Sequence, residues 1–423
     1  MIDLDSPSPP SRREPEGGAV ARSGQRPSHN PVLDGVRGLA ILLVVLHHHT
    51  VMTGAAALDL GVATISHFGG VGVDLFFVLS GFLITGILLR ARATADQPGA
   101  RYFRNFYARR TLRIFPLYYA VVFVALVVLP QIDHPKANNF GRIEGDEWSY
   151  WLYLSNFTIA EAGRWRHAIL DVSWSLAIEE QFYLVWPLVV RYCSLTVLRR
   201  TAIAMVVGAL LFRLFGTYWL GWNLVTTTVL TPGRLDTLAL GALLAIAASG
   251  AAAKDGGRGG LLPLRPSARW LAWPCALGGL GLFLADEWRR AHWSPGEPRV
   301  ISWSQTVGFS LTAFAFASIL VLAVTASPTS RTHRFWCNPV LRTFGKYSYA
   351  MYLFHLPIRA LVRDLAFGPP GTGAKFIFPI IGGSQIPAQL LFHAITIPLA
   401  LGAAWLSWHC YEKWFLRLKR YFE

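Results

Sequence analysis

Apolar runs of about twenty residues recur along this chain from residue 32 to residue 410, and no other feature limits its fold so strictly. A bilayer core about 30 Å thick takes roughly 20 consecutive apolar residues of helix to cross. Backbone in lipid must also satisfy its own hydrogen bonds, which leaves helices and closed barrels. Ten runs fit, at 32–53, 69–89, 115–131, 173–192, 201–221, 229–249, 270–286, 303–325, 345–366 and 386–410. No segment shows the ten-residue alternation of an outer-membrane barrel. Only 15% of the 423 residues are charged, against about 25% in a soluble domain. The expected fold class is all-α: a polytopic membrane protein with about ten transmembrane helices.

The first thirty residues are polar and rich in Pro, Ser and Arg. They lack the apolar core of a signal peptide, so they are expected to be a disordered cytoplasmic tail before an uncleaved first span. The net charge of +15 can point to nucleic acid, but topology accounts for it better. With the N-terminus cytoplasmic, 26 Lys and Arg fall on cytoplasmic segments and 10 on outer ones, while Arg37, Arg213 and Arg234 lie inside spans. That asymmetry follows the positive-inside rule, puts both termini in the cytoplasm, and implies a multi-pass protein of the inner (plasma) membrane without a nucleic-acid partner. Cys193, Cys275, Cys337 and Cys410 have no metal or redox spacing and read as small apolar fillers. No metal is expected.

Residues 90–114 are basic with interleaved aromatics, a pattern suited to an amphipathic cytoplasmic helix at the membrane surface before Pro116 opens the next span. Residues 132–172 form the longest outer loop. Its Trp and Tyr residues can anchor the interface, or with its carboxylates line a sugar site. Residues 250–268 read as a flexible cytoplasmic linker, and 412–423 as a cytoplasmic tail.

Ionisable residues inside spans are costly and face the protein interior. Arg37 and His48 are eleven residues apart, about three turns and about 16 Å along one helix face. Asp34 can pair with Arg37. Arg37 may simply be read as snorkelling and His48 as bonding a neighbouring helix; the sharper reading makes His48 a general base. Its neighbours His47 and His49 point about 100° to either side and cannot share its role. Arg110 and Arg113, spaced i and i+3, can anchor to anionic lipid or grip phosphate oxygens. Glu179 and Glu180 follow Ser173-Trp-Ser-Leu and precede Tyr183. They serve either as a structural partner for arginine or in catalysis and acceptor binding. Asp74, Arg234, Asp236 and His355 are further buried polar positions, with His355 at a depth similar to His48. Asp74 and His355 also fit helix–helix hydrogen bonding. Ser80, beside Gly81, reads as small-residue packing and lacks a nucleophile elbow.

Five motifs in order now resemble one family: Asp34-Gly-Val-Arg37 with His48; Gly72-Val-Asp74-Leu-Phe-Phe-Val-Leu-Ser-Gly-Phe; Arg109-Arg110-Thr-Leu-Arg113-Ile-Phe-Pro116; Ser173-Trp-Ser-Leu with Glu179-Glu180-Gln-Phe-Tyr183; and Tyr349-Ala-Met-Tyr-Leu-Phe-His355-Leu-Pro. The chain from 31 to 411 is similar to the acyltransferase-3 family of bacterial integral membrane O-acyltransferases, with a weaker match across 250–340. The resemblance implies transfer of an acyl group, acetyl above all, from cytoplasmic acyl-CoA to a hydroxyl of a carbohydrate or glycosylated acceptor. It carries over Arg37 and His48 as the family's arginine–histidine pair, Arg110 and Arg113 as its paired arginines, and Glu179 and Glu180 as its acidic pair. Asp74, Tyr183, Arg234, Asp236 and His355 are the expected acceptor contacts. Some members carry fused hydrolase-like domains; here about a dozen residues follow the last span, so a self-contained transferase is expected. The rival class is a transporter or flippase for a glycolipid or small anion, using the same buried groups as its path.

Overall fold

The computed structural model describes residues 30–93, 99–131, 145–249, 258–292, 302–367 and 379–422. Among them every regular element is helical, and one isolated bridge joins Ile381 to Ser384. The long helices are α1 Pro31–His49, α2 Ala57–Phe68, α3 Gly72–Ala93, α4 Gly99–Phe123, α5 Ser173–Tyr192, α6 Leu195–Tyr218, α7 Leu235–Ser249, α8 Arg265–Ala291, α9 Phe309–Val324, α10 Pro339–Phe367 and α11 Ile386–Ser407. Each of the ten expected spans falls on one of them.

Among the described residues, seven stretches are long and apolar enough to cross a membrane: Pro31–His49, Ala57–Ala93, Gly99–Gln131, Leu195–Tyr218, Arg258–Ala291, Ser304–Val324 and Ile386–Phe422. The expected spans on α5, α7 and α10 do not meet that standard, for physical reasons. α7 has 15 residues, α5 carries Glu179 and Glu180, and α10 carries Arg342, Lys346, Arg359, Arg363 and Asp364. Around them α6, α8 and α11 expose Leu211, Leu277 and Leu390. An apolar exterior of this extent is what lipid covers. The chain is a multi-pass membrane protein.

The frame that positions the polar residues comes from two close helix crossings. α1 begins where Asn30 Oδ1 accepts from Val32 N at 3.1 Å, with Pro31 in the first turn. It then lies directly against α10. A Cβ on Gly35 would stand 1.9 Å from the Trp336 carbonyl oxygen, and one on Gly38 would stand 1.9 Å from that of Leu341. Only glycine lets backbones meet so closely. α3 meets α7 in the same way, with Gly81 against the Leu238 carbonyl and Gly241 against that of Val78.

Several local expectations change. Pro116 lies inside α4 and does not open a span, so residues 99–114 continue directly into the apolar stretch. The helix is tied to its neighbours there: Tyr411 donates to the Pro116 carbonyl at 3.2 Å and Tyr349 to the Ile114 carbonyl at 2.6 Å. Residues 258–268 are helical, not a loose linker, and Arg265 donates to the Thr325 carbonyl at 3.0 Å. α2 was not expected. Its Asp59 accepts from Gln385 N at 3.0 Å and from the Ser384 hydroxyl, which ties it to the start of α11. Residues 413–422 are helical and pack on α4. The N-terminal tail to residue 29, residues 132–144 of the outer loop and residues 250–257 lie outside the described residues.

Candidate active site

α1 ends in three histidines that its helical pitch aims three ways. His47 Nδ1 lies 2.7 Å from the His67 carbonyl oxygen. His49 is fully buried, with Nδ1 2.8 Å from Thr396 Oγ1 and Nε2 3.1 Å from the His355 carbonyl, so it pins α1 to α10 and α11. His48 faces His355. Its Nδ1 is 3.0 Å from the Val44 carbonyl oxygen and 3.3 Å from His355 Nε2.

These contacts fix the tautomers. A carbonyl oxygen only accepts, so His355 Nδ1, 2.7 Å from the Tyr352 carbonyl, carries its proton. His355 Nε2 is then a lone pair, and His48 Nδ1 donates to it and to Val44. His48 Nε2 is left with a free lone pair, and it has no hydrogen-bond partner among the described residues. His48 also lines a cavity of 440 Å³, so the arrangement presents a base to whatever fills that space.

The same cavity is lined by Asp74, Arg234, Trp165, Trp174, Gln305 and Tyr352. Arg234 is buried, donates from Nη2 to Asp74 Oδ1 at 2.5 Å, and stacks its guanidinium 3.8 Å from the Phe309 ring centre. A smaller cavity of 150 Å³ gathers Arg37, Arg110, Arg113, Glu179, Ser80 and Tyr183. Arg37 Nη1 is 3.5 Å from Asp34 Oδ1. Arg110 lies 5.7 Å over the Tyr183 ring, and Arg113 lies 5.3 Å over that of Trp408. Three guanidiniums and one glutamate in a confined space favour an anionic guest. Ser80 does more than pack, since its hydroxyl bonds that of Tyr183.

The two cavities share a wall made of Val73 and Tyr352. Tyr352 OH is held 2.6 Å from Ser175 Oγ and 3.1 Å from the Val172 carbonyl oxygen. α1 thus delivers Arg37 to one side of that wall and His48 to the other.

Three expected site residues line neither cavity, and one of them is His355, an expected acceptor contact that is fully buried and instead backs His48. Glu180 lines neither cavity, and its Oε1 is buried without a partner. Adjacent helical positions diverge by about 100°, which separates it from Glu179. Asp236 is fully buried; its Oδ2 accepts from Arg213 Nη2 at 2.8 Å and from Ser310 Oγ at 2.8 Å, so it braces the turn carrying Arg234 and lines neither of these two cavities. Arg213 was missed as a structural centre, although a lone arginine in the apolar run Leu210-Leu-Phe-Arg213-Leu-Phe was its signal. Also missed was an amide relay. Gln181 Nε2 donates to Asn156 Oδ1 at 3.0 Å, Thr231 Oγ1 donates to Gln181 Oε1 at 2.5 Å, and Asn156 Nδ2 donates to the Val229 carbonyl at 3.2 Å. It joins the outer loop, α5 and the turn before α7.

An arginine-lined cavity thus backs onto a histidine-bearing one, both among the apolar helices of an integral membrane protein. The Acyltransferase domain model matches residues 30–412, and the chain belongs to this family, acyltransferase-3. A candidate O-acetyltransferase of Staphylococcus aureus (strain COL) is 27% identical over 410 residues, covering 92% of this chain and 60% of that one. The O-acetyltransferase OatA of S. aureus (strain NCTC 8325 / PS 47) is 28% identical over 356 residues, covering 80% and 52%. A candidate peptidoglycan O-acetyltransferase of Bacillus subtilis (strain 168), YrhL, is 36% identical over 164 residues, covering 37% and 23%. The chain therefore spans 60% or less of the length of these relatives. No solved structure matches it.

Proposed function

We propose that this protein is an O-acetyltransferase of the plasma membrane that takes its acyl group from cytoplasmic acyl-CoA, acetyl-CoA above all, and gives it to a hydroxyl of a carbohydrate acceptor. In this reading the chain has ten spans with both termini in the cytoplasm, and the Arg110–Arg113 end of the molecule faces the donor side. Arg37, Arg110 and Arg113 grip phosphates of the donor, whose pantetheine arm leads past Val73 and Tyr352 toward His48. The acceptor enters the larger cavity. His48 Nε2 takes the proton of the attacking hydroxyl, the new C–O bond forms as the C–S bond breaks, and the proton passes to the leaving thiolate. Glu179, beside Arg110 in the smaller cavity, orients the guanidiniums there.

The observation that carries this reading is the unpartnered His48 Nε2 in a cavity that shares its wall with a three-arginine cavity. The name of the B. subtilis relative, a peptidoglycan O-acetyltransferase, supports a carbohydrate acceptor. The test is thioester consumption by the purified, membrane-inserted protein. His48→Ala should cut turnover by at least about a hundredfold, the lower end for loss of a general base. Arg110→Ala and Arg113→Ala should act chiefly on KM for acetyl-CoA. Near-normal turnover in His48→Ala removes the base from the mechanism.

A further inference from the structure

The wall between the two cavities is narrow and stiff. Val73 and Tyr352 border both spaces, so a donor whose phosphates sit with Arg110 and Arg113 reaches His48 between those two side chains. Neither of them can retreat. Val73 lies in the first turn of α3, and its neighbour Gly72 is pressed on α1, where an added Cβ would stand 2.5 Å from the Ala40 carbonyl oxygen. A β-branched side chain on a helix also keeps to one rotamer. Tyr352 is fixed at its far end, where its hydroxyl lies 2.6 Å from Ser175 Oγ and 3.1 Å from the Val172 carbonyl oxygen. Its ring stands edge-on to Phe76, with centres 6.3 Å apart, and lies tilted against the His355 ring at 5.7 Å. Rings packed in this way leave little slack for the opening to widen.

A fixed opening acts on width, not on length. A straight acyl chain is no wider than the thioester arm that carries it, and the cavity of 440 Å³ beyond the wall has room for more than an acetyl group. A branch beside the carbonyl widens the leading end by a methyl group, which an opening that cannot give resists. We propose that Val73 and Tyr352 form a width filter for the acyl group: straight short acyl groups pass, those branched beside the carbonyl do not, and Val73 sets the limit. The inference rests on the proposed acyl-CoA reading and adds to it the class of donor. The sequence gives no sign of it, since Val73 is one aliphatic residue in an apolar run.

The test compares butyryl-CoA with isobutyryl-CoA, isomers with the same atoms and different shapes. Inverted membrane vesicles from cells that make the full chain supply the native acceptor, and vesicles from cells without it give the background. Each donor is labelled in its acyl group, and kcat/KM for transfer of label to membrane material is measured per folded molecule. The wild type should prefer butyryl-CoA at least about tenfold, the low end for one methyl group misplaced in an apolar site. Val73→Ala should lower that ratio about tenfold, toward unity, and Val73→Ile should raise it. The branch slows attack at the carbonyl equally in all three proteins, so the change in ratio among them reads the opening alone. A ratio that is the same in all three overturns the inference. Transfer of acetyl with neither isomer transferred by any of them also overturns it, because length would then be the limit. Both results leave the transferase reading standing, whereas no transfer from acetyl-CoA itself would sink that reading and the filter with it.

Discussion

Gly38→Ala tests whether the active-site geometry is set by backbone contact far from the chemistry. Gly38 is buried where α1 crosses α10, and an added Cβ would stand 1.9 Å from the Leu341 carbonyl oxygen. Ordinary contact begins near 3.4 Å, so the two backbones must part by about 1.5 Å, because packed interiors have no slack of that size. The partner is a carbonyl on a helix, and it cannot swing aside as a side chain would. Overpacking of this kind costs about 1–3 kcal/mol of stability. The catalytic consequence is larger, since the same two helices hold His48 Nδ1 and His355 Nε2 at 3.3 Å. A displacement near 1 Å at reacting groups costs about a hundredfold in rate. The assay pairs thermal unfolding in detergent with acetyl-CoA turnover per folded molecule. Gly208→Ala on α6 is the control, because nothing lies within 4 Å of its Cβ position. It should leave turnover unchanged. If Gly38→Ala unfolds and turns over like the wild type, the crossing does not set the histidine geometry and the reasoning fails.

Two further outcomes follow from the same contacts. Asp74→Ala leaves the Arg234 guanidinium buried without its counter-charge, which should cost about 3–5 kcal/mol and appear as lost folded yield in detergent; a wild-type unfolding temperature would contradict it. His355→Ala removes the acceptor of the His48 Nδ1 proton while the Val44 carbonyl remains, so kcat should fall about tenfold, the worth of one hydrogen bond, with KM for acetyl-CoA unchanged. A change confined to KM would place His355 in donor binding instead.

How much of this was legible in the sequence depends on charge and on periodicity. The ten expected spans each meet a helix because apolar runs of that length leave the backbone little choice. Arg37, His48, Arg110, Arg113 and Glu179, which line the two cavities, stood out because ionisable residues contrast with an apolar background. The weaker side of that signal is direction. Glu179 and Glu180 look equivalent as letters, yet one turns into the arginine cavity and the other away from both cavities. Asp236 carried the same charge signal as Asp74 but is enclosed by Arg213 and Ser310. Uncharged polar groups gave no signal. Gln181, Asn156 and Thr231 knit the outer loop to the core through neutral hydrogen bonds, which no hydropathy pattern marks. Pro116 misled because a proline's local restriction is real but does not by itself end a helix, and here it lies inside α4.

The contrast between two buried arginines bears on what each does for the fold. Arg213 and Arg234 are both almost wholly enclosed, and each pairs with one aspartate. Arg213 is saturated: Nε donates to the Thr306 carbonyl at 3.1 Å, Nη1 to that of Gly233, and Nη2 to Asp236 and Ser310. Arg234 spends Nη2 on Asp74 and leaves Nε and Nη1 unmatched. Burying an ion pair is at best weakly stabilising, and it becomes costly when donors are left over. A fold that satisfies one arginine fully, and accepts the penalty at the other beside a cavity, has separated two tasks. Arg213 fixes where Gly233 and Asp236 stand, and that fixes the turn from which Arg234 reaches the cavity. The saturated residue is scaffold, whereas the unsaturated one is held by Asp74 and the Phe309 ring.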